Sequence, residues 1–254
     1  MNVMHQVEAK YKLMALDLDG TLLTDREQIT EESKKWIQYA VDNGVTVIFS
    51  TGRGLQNAKG FWDELGLDSP MVLLNGAEIW EGPGRLHKRV FIPRDTIRRI
   101  HAIAAERGEW YWGYSVESLT GATDWTAEMF ERDWMKFGIG SHDQDKLAGI
   151  KEELLSWGTL EITHSAPVNM EISVQGISKE SGVRQVCQLL GLSMSDVIAI
   201  GDSQNDAKLL KAAGLGVAMA NGEEHIQSIA DVITAANNED GVAQAIRKHV
   251  FQIE

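Results

Sequence analysis

Short apolar runs alternate with longer amphipathic stretches along this chain. Tyr11–Leu16 is a compact apolar run that stops at Asp17-Leu18-Asp19-Gly20-Thr21, the pattern of a buried strand running into a loop. Residues 31–43 carry Trp36, Tyr39 and Ala40 at helical spacing, and Gly44 stands where a helix-ending glycine belongs. Residues 45–49 predict a second strand, 55–65 a helix and 71–74 a third strand. Strand, helix, strand, helix, strand in that order signals a parallel sheet covered by helices.

After residue 78 the rhythm changes. Ile79-Trp80, the turn Glu81-Gly82-Pro83-Gly84-Arg85 and residues 86–92 read as a hairpin. Residues 94–107 predict a helix between Pro93 and Gly108, 109–114 alternate as a strand, 143–157 form a helix, and 160–163 and 170–174 are strands. From Ser178 the first rhythm returns, with helices over 179–190 and 206–213, a strand over 197–200, short runs at 215–218 and 231–233, and a last helix from 240. The expected fold class is α/β: a Rossmann-like parallel-sheet core built from residues 1–79 and 177–254, carrying an inserted α+β domain at 80–176.

Composition narrows the class. The chain has 254 residues, 43% hydrophobic and 24% charged, which excludes global disorder and fits one large domain or two modest ones. Its net charge of −13 repels a polyanion on average, so no nucleic-acid partner is expected. Residues 1–12 lack an apolar stretch of signal-peptide length, and no run approaches the ~20 apolar residues of a membrane span. A cytoplasmic protein with no membrane partner is expected, as a monomer or homodimer. Cys187 is the only cysteine; it excludes an internal disulfide or a thiolate metal site and reads as a small buried apolar residue on a helix.

The chemistry gathers at strand ends. In open α/β sheets, ligands bind beyond the carboxyl ends of the strands. Asp17 and Asp19 follow the first strand, and Gly201-Asp202-Ser203-Gln204-Asn205-Asp206 follows the strand at 197–200, so two acidic loops should share one sheet edge. Taken singly, the first also reads as a turn or calcium loop and the second as a capped helix start. Together, carboxylates this close stay ionised only around a cation, and hard oxygen donors favour Mg²⁺ over zinc. Ser50-Thr51-Gly52-Arg53 offers a hydroxyl and backbone N–H groups for phosphate oxygens. Lys179 opens a helix, where its charge opposes the macrodipole and so invites a functional reason.

With those residues the chain resembles the haloacid dehalogenase superfamily, specifically its Cof-type phosphatases. The match is DLDGT at 17–21, STGR at 50–53, Lys179 and GDSQND at 201–206, with NGA at 75–77 and Met170-Glu171-Ile172 in support. One departure is Glu180, where such proteins often have glycine. Only 31 residues separate Asp19 from Thr51, against 100 between Ala77 and Ser178, so the cap would be the type inserted after the third core strand. The resemblance implies a Mg²⁺-dependent phosphatase for a small phosphorylated metabolite: a sugar phosphate, a phosphoglycolate-like acid or a flavin-precursor phosphate. Asp17 would be the nucleophile forming an aspartyl-phosphate, and Asp19 the general acid and then base. Thr51, Gly52, Asn75, Lys179 and Asn205 would bind substrate. Asp17, Asp202 and the Asp19 carbonyl would hold the metal, with Asp206 acting through water. The competing readings are a phosphosugar mutase of the same superfamily and a non-catalytic phosphometabolite-binding regulator.

Two features of the insertion stay open at this point. Trp110, Trp112 and Tyr114 share one strand face and are expected to pack under the insertion's own helices, with a stacking platform for a ring-bearing substrate or a dimer contact as alternatives. Arg85, Lys88, Arg89, Arg94, Arg98 and Arg99 read as a solvated basic face, or else as a second anion site.

Overall fold

The structure, a computed structural model, describes residues 9–253. The first stretch of chain supplies β1 (Leu13–Leu16), α1 (Glu31–Asp42), β2 (Thr46–Ser50), α2 (Leu55–Glu64), β3 (Met71–Leu73), β4 (Glu78–Gly82) and β5 (Arg85–Arg89). The insertion follows with α3 (Arg94–Glu106), β6 (Trp110–Ser115), β7 (Leu119–Gly121), β8 (Trp134–Gly140), α4 (Gln144–Leu155), β9 (Leu160–Thr163) and β10 (Asn169–Val174). The chain then returns through α5 (Lys179–Leu190), β11 (Val197–Gly201), α6 (Ala207–Ala212), β12 (Leu215–Ala218), α7 (Glu224–Ile229), β13 (Val232–Ile233) and α8 (Gly241–Ala245).

The core sheet runs β13-β12-β11-β1-β2-β3-β4-β5, parallel from β13 to β3 and antiparallel over the last two pairings. Its central strands are continuously apolar because both faces are covered. Leu13 and Ala15 point to one side, against Val183 and Val186 of α5 and Leu209 of α6. Met14 and Leu16 point to the other, against Ile37 and Ala40 of α1 and Ala245 of α8. Each of the buried leucines, valines, isoleucines and methionines contributes about 1.5–3 kcal/mol, so a charge at Leu16 would break the sheet's centre. Cys187 is buried in the first of these layers, as expected. The hairpin β4–β5 continues the core sheet, whereas the sequence reading counted residue 80 onward with the insertion.

The cap has its own antiparallel sheet, β7-β6-β8-β10-β9. Its central strand, β8, was not predicted, because Trp134-Met135-Lys136-Phe137-Gly138-Ile139-Gly140 puts a lysine and two glycines where a buried strand wants apolar residues. One face of this sheet packs Phe137, Ile139, Met170 and Ile172 under α3 and α4. Tyr111 of β6 is on that side, stacked on Phe137 with ring centroids 5.8 Å apart.

This corrects the expectation for the aromatic stripe. Trp110, Trp112 and Tyr114 lie on the opposite face, beside Gly140, Gly138 and Lys136. The glycines are what admit them: a Cβ at Gly138 would come within 2.1 Å of the Trp112 ring, and one at Gly140 within 2.1 Å of Trp110. That face is turned to the core, where Asn57 Nδ2 of α2 donates to the Tyr114 hydroxyl at 3.3 Å. Among the described residues, no helix is long and apolar enough to cross a membrane.

Candidate active site

Parallel pairing of β1 with β11 brings their two acidic loops together, since Leu16 is registered with Ile200. Close approach depends on Gly20, at φ 72°, where a Cβ would sit 2.5 Å from Asp202 Oδ2. Thr21 Oγ1 donates to Asp202 Oδ1 at 2.9 Å, and Asn221 Nδ2 donates to the Gly20 carbonyl at 2.8 Å. The first loop is thereby tied to the second by Thr21 and to the loop after β12 by Asn221.

Lys179 enters the same place from the start of α5. Ser178 caps that helix through a reciprocal pair with Ser181. The helix start lies against the turn after β3: at Gly76, φ 97°, a Cβ would fall 2.3 Å from the Ser178 carbonyl oxygen. Lys179 is fully buried, and its Nζ stands 2.8 Å from both Asp17 Oδ1 and Asp206 Oδ1. Those carboxylates offset the unfavourable position of a cation at a helix N-terminus. Burial alone would lower the Lys179 ammonium; Asp17 and Asp206 together outweigh it and hold it above the ordinary lysine value. The second oxygen of Asp206 accepts the backbone N–H groups of Asp202 and Ser203, each at 3.2 Å. Asp206 is thus committed to Lys179 and to its own loop.

Carboxylate oxygens of Asp17, Asp202 and Asp206 lie within 4.8 Å of one another. Burial, then repulsion from Asp206, pushes the Asp202 carboxyl up to about 7. Asp17 is raised too, chiefly by burial, with Lys179 opposing and the neighbouring carboxylates adding to the shift. Three carboxylates against one ammonium leave two negative charges unbalanced when all are ionised. The set therefore fits a divalent cation bound through hard oxygen donors, with Asp17 and Asp202 the carboxylates able to turn to it.

Asp19 sits at the rim, half-exposed, and is clamped by Arg53: Nε donates to Oδ2 at 2.9 Å and Nη2 to Oδ1 at 2.5 Å. Arg53 also reaches Glu27 Oε1 at 2.8 Å. Thr51 is fully buried; its N–H donates to the Val72 carbonyl and its Oγ1 accepts the Arg53 N–H at 3.1 Å. Asn75 turns left-handed at φ 56°; its Nδ2 donates to Glu171 Oε2 at 2.7 Å, and its Oδ1 is buried without a hydrogen-bond partner among the described residues. Ser203 Oγ donates to Asn205 Oδ1 at 3.1 Å.

Asp17, Asp19, Gly52, Ser203 and Asn205 line one side of a cavity of about 260 Å³. Trp112, Tyr114, Lys136 and Glu171 of the cap line the other. The expected site residues therefore fall into three groups. Asp17, Asp19, Gly52 and Asn205 face the cavity; Lys179, Asp202 and Asp206 cluster on Asp17; Thr51 and Asn75 are buried in the adjoining turns. Sequence reasoning missed Lys136, whose strand was not recognised, and gave Glu171 no role beyond its motif. The basic residues singled out from the sequence do not line this cavity: Arg89 pairs with Glu78 at 2.8 Å, and Arg94 and Arg98 pair with Glu131 at 3.3 and 2.6 Å.

A family model described as haloacid dehalogenase-like hydrolase matches residues 14–137 and 123–246. The chain belongs to this family. It is 38% identical over 240 residues to the 5-amino-6-(5-phospho-D-ribitylamino)uracil phosphatase YcsE of Bacillus subtilis (strain 168), covering 94% of this chain and 96% of that one. A second phosphatase of the same name and organism, YitU, is 31% identical over 269 residues, covering 96% and 99%. A solved haloacid dehalogenase-like hydrolase from B. subtilis superposes with a TM-score of 0.87 at 27% identity, covering 93% of this chain and 99% of that one. This haloacid dehalogenase-like hydrolase is a phosphatase, with the core and inserted cap of its family.

Proposed function

We propose that the protein is a Mg²⁺-dependent phosphomonoesterase that passes the phosphoryl group of a small metabolite to Asp17 and then to water. The observation that carries this reading is the buried Lys179 ammonium, 2.8 Å from both Asp17 and Asp206. An ammonium on one oxygen of Asp17 orients the other as nucleophile and offsets charge on the incoming phosphoryl group. Mg²⁺ held by Asp17, Asp202 and the Asp19 carbonyl would neutralise phosphoryl oxygens as a Lewis acid. Thr51, Gly52 and Asn205 hold the phosphoryl group in line. Asp19 protonates the leaving alkoxide and then takes a proton from water, a role worth about 10²–10⁴-fold. Arg53 occupies both Asp19 oxygens, so proton transfer at either requires that clamp to open when substrate binds.

The leaving group is chosen by the cap. Trp112 and Tyr114 give the cavity an aromatic wall beside polar Lys136, Glu171 and Ser165, which suits a flat, hydrogen-bonding ring on a hydroxylated chain. Of the candidate metabolites this favours the flavin-precursor phosphate, the substrate named for YcsE and YitU. The test is phosphate release from 5-amino-6-(5-phospho-D-ribitylamino)uracil, pyridoxal 5′-phosphate and hexose phosphates, with Mg²⁺ and with EDTA. The reading predicts metal-dependent turnover with the highest kcat/KM on the ribitylaminouracil. Equal or better turnover of hexose phosphates would overturn the substrate assignment, and full activity in EDTA the metal.

A further inference from the structure

We propose that Lys136 is a positioning residue through which the seated cap sets the phosphate-binding turn of the core. Lys136 is 2% exposed, and its Nζ donates to Glu171 Oε1 and to the Gly52 carbonyl oxygen, both at 2.6 Å. Glu171 is buried too, and its other oxygen accepts Asn75 Nδ2 at 2.7 Å. An ion pair made wholly of cap side chains is thus wedged between the two core turns that follow β2 and β3. Those turns are laced to each other, with the Asn75 N–H donating to the Thr51 carbonyl and the Leu74 N–H to the Arg53 carbonyl.

The peptide unit between Gly52 and Arg53 is held at both ends. Its carbonyl takes the Lys136 ammonium, and its N–H goes to Thr51 Oγ1 at 3.1 Å. A peptide is planar, so fixing its oxygen fixes the direction of its N–H, and with it the oxygen of Thr51. The same plane sets the backbone from which Arg53 reaches Asp19. Glu171 presses on this turn, since a Cβ at Gly52 would lie 3.2 Å from its Oε2.

Stability alone does not account for the pair. An apolar pair of similar size would join cap and core without the cost of desolvating two ions. What a buried ammonium adds is a directed grip on one carbonyl. Without that grip the Gly52–Arg53 peptide keeps its N–H bond to Thr51 but loses the cap's hold on its carbonyl. The inference rests on the reading of Thr51 and Gly52 as the phosphoryl site, and it adds that this site is complete only under the cap.

The test compares wild type with Lys136→Met and with K136M/E171Q, which removes both charges and leaves no unpaired ion in a folded protein. Each is assayed with the ribitylaminouracil phosphate and with acetyl phosphate, whose leaving group is too small to touch the cap. Both variants are expected to lose kcat on both substrates by roughly 10–100-fold, with KM moving less than about threefold. Hydrogen exchange of the peptide holding residues 51–54 is expected to speed up in the double variant. Wild-type kcat on acetyl phosphate in the double variant, or loss confined to the larger substrate, would make Lys136 a leaving-group contact only. Unchanged exchange at 51–54 would overturn the proposal without any activity measurement. Thr51→Val separates the underlying reading: if that variant keeps full activity, the phosphoryl site is wrong whatever Lys136 does.

Discussion

Removing the divalent ion should make this protein less stable as pH rises, and the acidic cluster sets by how much. Oxygens of Asp17, Asp202 and Asp206 lie within 4.8 Å of one another, and at an effective dielectric of about 20 two unit charges that close repel by about 3.5 kcal/mol. Lys179 pairs with Asp17 and Asp206; Asp202 makes no ion pair with it and its carboxyl is raised from 3.8 to about 7, while Asp17, raised chiefly by burial, adds in the same direction. In the metal-free fold Asp202 therefore binds a proton that the unfolded chain has already released. Stability falls with pH wherever the folded state holds more protons, here between about 4 and 7. The full shift corresponds to an order of 4 kcal/mol, of which roughly 2 kcal/mol falls between pH 5 and 7. For a chain of this size that is a melting-temperature drop of about 4–8 °C.

Thermal unfolding in EDTA at pH 5 and pH 8 measures it, for wild type and for Asp202→Asn. His101 and His249, both lowered by burial, pull the opposite way, and subtracting the variant cancels them. Wild type should lose more stability than the variant on going to pH 8. Millimolar Mg²⁺ should restore wild type at pH 8 and do little at pH 5, because binding must displace the proton. An identical pH response in wild type and variant, or equal Mg²⁺ stabilisation at both pH values, would refute the shared-charge account.

Asp17→Asn should reduce turnover below detection while raising the metal-free melting temperature at pH 8, since it removes one of the mutually repelling carboxylates; calorimetry beside a phosphate-release assay checks both. Asp19→Asn should slow alkyl phosphates by about 10²–10⁴-fold but p-nitrophenyl phosphate much less, because a good leaving group needs little protonation. Gly76→Ala should destabilise by about 2–4 kcal/mol in urea unfolding, since φ 97° and a contact of 2.3 Å with the Ser178 carbonyl both penalise a side chain there, and it should cost activity by moving Lys179.

The parallel core was legible because strands buried on both faces read as unbroken apolar runs, and loops at their carboxyl ends had one place to go. That logic placed Asp17 and Asp202 together before any coordinates. The ammonium of Lys179 was legible from the residues as an oddity at a helix start and from the resemblance as a member of the site; its pairing with Asp206 was not, because nothing local joins them across 27 positions. The cap was harder. β8 broke the alternation rule at Lys136, Gly138 and Gly140, and each exception has a reason across the sheet: Lys136 meets Glu171, and the glycines make room for Trp112 and Trp110. Without β8 the face carried by Trp112 and Tyr114 was undetermined, so packing under the cap helices looked sufficient. Asn75 was read from its motif as a substrate group, and no local signal indicated that its amide would be spent on Glu171, 96 positions away.

The covalent role of Asp17 is tested most directly by the stereochemical course at phosphorus, with a substrate made chiral by oxygen isotopes and hydrolysed in isotopic water. Transfer to Asp17 and then to water is two in-line displacements, and the account predicts net retention. Net inversion would mean that water attacks the ester directly, and the aspartyl-phosphate route would be contradicted.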